Sequence, residues 1–145
     1  WMIGLPKEKL ANVLHRLNFP KAQAEQIKAA CQLWVNLPGL MDKPPSMVVK
    51  ILAEVPMLAI FANCLATNEG RLCSILLTYL THWKNVSPTI KGYDLQQRGL
   101  PPGPAYKRIL GALKDAWLDE KISTVEQEEA MFELLITDPK MLNDE

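Results

Sequence analysis

Histidine, cysteine and glycine are scarce in this 145-residue chain, at two, three and seven respectively, and each shortage removes a class of chemistry. His15 and His82 stand outside any His-Glu-x-x-His, His-Asp or Cys/His arrangement, so neither a zinc-hydrolase nor a triad signature is present. Cys31, Cys64 and Cys73 are odd in number, show no Cys-x-x-Cys spacing and lie within apolar helical patterns. They are expected to be free, buried thiols of a reducing compartment, forming neither a disulfide nor a zinc site. There is no Gly-Gly or Gly-Ser phosphate turn and no Asp-x-Asp or Glu-x-Asp pair, the carboxylate arrangement that would hold two metal ions for nucleotidyl transfer. Asp119 and Glu120 are adjacent and would diverge on a helix, and Glu128 with Glu129 reads as a solvated face. No catalytic residue and no metal ligand is expected.

Long hydrophobic runs are also missing. The stretch from Ile51 to Leu65 is interrupted by Glu54, Pro56 and Asn63, leaving nothing expected to span a bilayer. With no signal-peptide pattern, a cytoplasmic or organelle stroma or matrix location is expected. Trp1 precedes Met2, and the chain is expected to be cut from a longer protein or to carry an added residue ahead of Met2, with a standalone regulator as the rival.

What is present is helical periodicity, with 48% hydrophobic residues and almost no β-branched alternation, which argues an all-α fold of seven or eight helices without a sheet. Leu10, Val13, Leu14 and Leu17 form one stripe. A second helix is expected from Pro20 to Asn36. The stretch Leu37 to Pro45 holds Pro38, Gly39, Pro44 and Pro45 and marks a candidate boundary between a lead-in subdomain at 1–40 and a main helical domain at 41–145. Helices are expected at Ser46 to Val55, Pro56 to Ala66 and Arg71 to Lys84, then from Pro104 to Trp117 or Leu118. Ser123 or Thr124, three residues ahead of Glu126 or Gln127, begins a final helix that ends near Thr137 and Pro139. Trp1, Trp34, Trp83 and Trp117 are expected in the core.

Zero net charge conceals an asymmetry. Residues 84–114 hold six basic side chains against Asp94 alone, a local balance of +5, whereas residues 115–145 hold ten acids against Lys121 and Lys140, a balance of −8. An anionic partner feels the local field and not the sum.

Within the basic segment, Gly92 to Leu110 reads Gly-Tyr-Asp-Leu-Gln-Gln-Arg-Gly-Leu-Pro-Pro-Gly-Pro-Ala-Tyr-Lys-Arg-Ile-Leu. Asp94 is expected to cap a short turn by accepting from amides two or three residues on, and Gly92 and Gly99 to supply unusual backbone angles. Pro101 and Pro102 stiffen the approach to Gly103, and Pro104 opens a helix whose first amides, those of Ala105, Tyr106 and Lys107, point outward. Tyr106, Ile109, Leu110, Leu113 and Trp117 form its inward stripe. Lys107, Gly111 and Lys114 then share the opposite face with Arg108 flanking, a flat positive strip suited to phosphates. Arg98, Lys91 and Lys84 form a second rank. The Gly/Pro elbow equally serves as a rigid corner between helices, and Tyr106 is placed where its ring either packs or meets a ligand.

The pattern Gly92, Asp94, Leu95, Gly99, Pro102, Gly103, Pro104, Tyr106, Lys107, Ile109, Leu110, continued by Leu118, Asp119 and Ile122, resembles the helical C-terminal body and tail of bacterial tRNA nucleotidyltransferases and poly(A) polymerases. Tyr79 to Lys84 and Pro88 extend the likeness. Glu120 departs from it, standing where that family usually places Gly. The resemblance implies a non-catalytic, all-helical part that grips tRNA, while a catalytic head elsewhere in the parent uses Mg2+ with ATP or CTP to extend the 3′ end. A helical protein-interaction or dimerisation module, its acidic last helix meeting the basic segment of a second copy, is the alternative.

Overall fold

The computed structural model describes residues 2–138. Expectations about Trp1, about Pro139 and about the charges of Lys140, Asp144 and Glu145 lie outside the described residues. Among the described residues the chain is all-α, with eight helices and no strand. It divides into two compact units, Trp1–Lys84 and Asn85–Glu145.

Prolines punctuate the first unit. Helices α1 (Lys7–Arg16), α2 (Lys21–Asn36) and α4 (Met57–Ala66) each begin directly after a proline, Pro6, Pro20 and Pro56, while α3 (Pro45–Ala53) begins on one. A proline has no amide to leave orphaned, and its fixed φ feeds the chain into the first turn. Helix α5 (Gly70–Thr81) completes the unit. Helix α1 packs on α2, α2 on α4, and α4 on α5. Leu40, Val48, Leu52, Ile60 and Leu76 are almost wholly excluded from solvent, each contributing about 1.5–3 kcal/mol of burial. Asn63, the polar residue inside the apolar α4, is fully buried. Its Nδ2 donates to the carbonyl oxygens of Ala30 (2.9 Å) and Ala59 (2.8 Å), which ties α4 to α2 and leaves Oδ1 without a partner.

The proline-rich stretch at 37–45 is not the boundary expected between 1–40 and 41–145. Leu37–Leu40 forms a 3-10 turn whose two leucines are buried within the first unit, and their burial holds the stretch in place. The chain divides instead at 84/85. Trp34, Trp83 and Trp117, expected in the core, are only partly buried, and α5 ends at Thr81, before Trp83.

The second unit contains α6 (Gly92–Gln97), α7 (Pro104–Leu118) and α8 (Val125–Thr137). Its core is Ile90, Leu95, Ile109, Leu113 and Phe132, lined by Leu100, Tyr106, Leu110, Met131, Leu135 and Ile136. Thr124 caps α8 by accepting from the Gln127 amide at 3.3 Å, and Gln127 Oε1 accepts from the Ser123 amide at 2.8 Å.

Three helices end by the same device. After α1, α6 and α7 the chain turns through the left-handed region at Asn18 (φ 50°), Gly99 (φ 78°) and Glu120 (φ 56°). In each case paired backbone bonds close the end: Asn18 N to His15 O with Phe19 N to Leu14 O, Gly99 N to Gln96 O with Leu100 N to Leu95 O, and Glu120 N to Trp117 O with Lys121 N to Ala116 O. This Schellman arrangement favours Gly and tolerates Asn. At Glu120, where the resemblance calls for Gly, an L side chain occupies the left-handed position.

Candidate nucleic-acid interface

The elbow ahead of α7 is fixed by three contacts. Asp94 stands in the first turn of α6 and its Oδ2 accepts from the Lys91 amide at 2.7 Å, so the carboxylate reaches back three residues and does not cap forward as expected. It can do so because the helix already starts at Gly92. Gly99 takes the left-handed angle that lets the chain reverse. The Tyr106 hydroxyl then donates to the Leu100 carbonyl at 2.8 Å, which joins the start of α7 to the end of α6.

Those contacts assign Gly92 differently from the sequence expectation and decide between the two roles left open for Tyr106. Gly92 has no left-handed backbone angle; a Cβ there would rest 3.6 Å from the Tyr106 ring. Its role is to sit beside that ring, not to supply an unusual conformation. Tyr106 is part of the corner, with its ring against the core and its hydroxyl bonded, and is not turned toward a ligand. Of the three amides expected to point outward, that of Tyr106 donates to Gly103 O at 3.1 Å. Pro104 is the first residue of α7, and Pro101, Pro102 and Gly103 are exposed ahead of it.

Along α7, Ile109, Leu113, Ala116 and Leu118 are buried. Lys107, Gly111 and Lys114 follow the i, i+4, i+7 spacing that keeps residues on one face. Two turns of helix separate the ammonium-bearing positions, a rise of about 10 Å. Lys107 is exposed and Lys114 half-exposed. Neither has a hydrogen-bond or ion-pair partner among the described residues. A Cβ added at Gly111 would meet nothing within 4 Å, so the strip between the lysines is open down to the backbone. Arg108 is half-buried and already has an interaction within the chain.

Within the second unit, the second-rank cations Arg98 and Lys91 are engaged in contacts of their own. Arg98 is ion-paired with Glu133, and its guanidinium lies 5.6 Å from the centroid of the Phe132 ring. Lys91 is folded back on its own loop, its Nζ donating to Pro88 O at 2.5 Å and to Ser87 Oγ at 3.4 Å. Lys84 belongs to the first unit, with its Nζ 3.7 Å from Met57 Sδ.

Glu128 overturns the expectation of a solvated acidic face. It is fully buried. Its Oε1 accepts from the Ile90 amide (3.0 Å), and its Oε2 accepts from the Thr89 amide (3.2 Å) and from Trp117 Nε1 (2.9 Å). One carboxylate thus ties α8 to α7 and to the segment entering the elbow, with every donor supplied by uncharged N–H groups. The available signal was its spacing from Phe132 and Leu135, four and seven residues on, which places Glu128 on the inward stripe of α8.

Among the described residues no three His, Cys, Asp or Glu side chains gather as a metal site would require, and no single helix is long and apolar enough to cross a membrane. Cys31, Cys64 and Cys73 are free thiols. Comparison with models of protein families, with curated proteins and with solved structures finds no match to this chain.

Proposed function

We propose that this chain is the non-catalytic, RNA-holding part of a tRNA nucleotidyltransferase or poly(A) polymerase, binding tRNA while a catalytic head in the parent protein extends the 3′ end with Mg2+ and ATP or CTP. The observation that carries this reading is the pair Lys107 and Lys114, on one face of α7, unpartnered among the described residues and separated by a glycine with open space above it. A phosphodiester backbone laid across Gly111 brings phosphates within reach of both ammonium groups, and each such contact releases condensed counterions. The fixed elbow supports the reading by setting the axis of that helix.

The test is titration of a fluorescent tRNA with the chain at two salt concentrations. Lys107→Glu combined with Lys114→Glu is expected to weaken binding by about tenfold or more at low salt and to reduce the slope of log affinity against log salt by about 2. Affinity equal to that of the parent chain at low salt refutes the strip as the site.

A helical self-association module is the second reading, and a different observation favours it. Met57, Leu58, Phe61 and Leu65 of α4 remain 48–73% exposed on a helix that carries no charged residue. An exposed apolar face of this kind suits a second copy of the chain. The acids of α8 favour it less, because Glu128 is buried and Glu133 is taken by Arg98. Concentration-dependent dimers in sedimentation, lost on Phe61→Glu and accompanied by no tRNA binding, would select this reading.

A further inference from the structure

We infer that Cys64 and Cys73 form a dithiol that a small-molecule disulfide such as oxidised glutathione converts to an intramolecular disulfide, a modification that locks the α4–α5 hairpin. The sequence gives no hint of pairing, since eight residues and a helix break lie between the two cysteines. The fold brings them together: α4 and α5 pack as neighbours, and the two sulfurs stand 3.0 Å apart. A disulfide bond of about 2.05 Å requires them to close by only about 1 Å. The thiols differ in access, Cys64 being buried and Cys73 partly exposed. Cys64 Sγ also lies 3.9 Å from the Cys73 carbonyl oxygen, so the pair meets along the helix–helix seam and not across a gap.

That difference in access sets the order of steps. Cys73, as thiolate, attacks one sulfur of oxidised glutathione, forming a mixed disulfide and expelling one glutathione thiolate, which takes up a proton. Cys64 then attacks Cys73 Sγ, loses its proton and expels the second glutathione. Two protein thiols are oxidised by two electrons, and one glutathione disulfide is reduced to two thiols. Burial, then the hydrogen bond with Cys73 and the charge of Cys73, push the Cys64 thiol up to about 11, which keeps it from being the first attacker. The mixed disulfide removes both Cys73 contributions at the moment Cys64 must react. Cys31 is the internal control, since its Sγ donates to Met2 O at 3.2 Å and it belongs to the separate cluster with Leu10 and Leu14.

The test uses the intact native chain at pH 8 with millimolar oxidised glutathione. Titratable thiols are expected to fall from three to one, the mass of each chain to drop by two hydrogens with no covalent link to a second chain, and dithiothreitol to reverse both changes. Peptide mapping of the oxidised parent chain should join the peptide bearing Cys64 to that bearing Cys73, which keeps the test independent of how any variant folds. Cys31→Ser should still lose two hydrogens, whereas Cys64→Ser and Cys73→Ser should not. Three thiols retained, stable glutathione adducts without ring closure, or a link that involves Cys31 or a second chain would each overturn the assignment.

Discussion

Removing the Glu128 carboxylate while keeping its volume should cost the second unit a large share of its stability, and the size of the loss follows from the donors around it. Three N–H groups converge on the two oxygens, from Ile90 on one and from Thr89 and Trp117 on the other. In Glu128→Gln the single amide oxygen can keep the two donors that share Oε2, and the new NH2 group then faces the Ile90 amide. The Ile90 amide and the new NH2 group are then both buried donors without an acceptor, at about 1–3 kcal/mol each, partly offset because a buried charge no longer has to be desolvated. About 2 kcal/mol is expected. In Glu128→Leu all three donors are orphaned; those of Thr89 and Trp117 are only partly buried and can recruit water, so the loss should be about 3–5 kcal/mol. A unit of this size has a stability of about 3–9 kcal/mol, so the leucine variant should sit near its unfolding midpoint. Urea titration followed by tryptophan fluorescence and far-ultraviolet circular dichroism is the assay. With a slope of about 1–2 kcal/mol per molar, the glutamine variant should move the midpoint down by about 1–2 M. Trp117→Phe combined with Glu128→Leu should cost less than the sum of the two singles, because both remove the bond from Trp117 Nε1 to the carboxylate. If glutamine and leucine at position 128 are each within 0.5 kcal/mol of the parent chain, a threshold of about the size of an ordinary surface substitution, the buried-anchor reasoning fails.

Gly111→Ala fills open space on a helix, so it should raise stability by about 0.5–1 kcal/mol; under the proposed function the same methyl group stands between Lys107 and Lys114 and should weaken tRNA binding, and a variant that is both more stable and tighter binding would refute close backbone approach. Glu120→Gly should stabilise by about 0.5–1 kcal/mol in thermal or urea unfolding, because Glu120 holds a left-handed φ of 56° that suits glycine. Asn18→Gly, at the matching position after α1, should gain less, since Asn tolerates that region; equal gains at both sites would count against this account.

The all-α class and the position of nearly every helix were legible because apolar spacing and proline report local geometry. Pro20, Pro45 and Pro104 stand at helix starts, Gly99 at a helix end, and Thr124 at a cap. Asp94 and Gly92 differ from expectation for local reasons, the early start of α6, but the larger departures involve a partner distant in sequence. Glu128 with Glu129 suggests a wet face, and nothing local announces that Thr89, Ile90 and Trp117 will aim their N–H groups at one of them. The nearness of Cys64 to Cys73 is hidden for the same reason. The stretch at 37–45 was read as a linker from its prolines, although two leucines within it, Leu37 and Leu40, find the core. In the candidate site, Lys107 and Lys114 followed from helical period alone. The engagement of Arg98 and Lys91 depended on Glu133 and on a loop carbonyl, and no periodicity encodes that.

Charge counted along the chain overstates how strongly the acid-rich segment opposes a polyanion. Its balance of −8 treats every carboxylate as equivalent, whereas several are spent on local contacts. Glu128 is sealed from solvent by three N–H donors, Glu133 is matched by Arg98, and Asp119 lies 3.5 Å from Lys121. Glu126 is held below the ordinary carboxylate value by its own backbone amide and then by the Thr124 hydroxyl, at the helix end where the dipole favours a negative charge. The cationic partners of Glu133 and Asp119 offset the fields of those two acids, whereas the uncharged donors around Glu128 and Glu126 stabilise the carboxylates without cancelling their charge. The two blocks of charge therefore differ in how they are matched: Glu133 on α8 is paired with Arg98 and Glu128 is buried, whereas Lys107 and Lys114 on α7 meet no acid among the described residues.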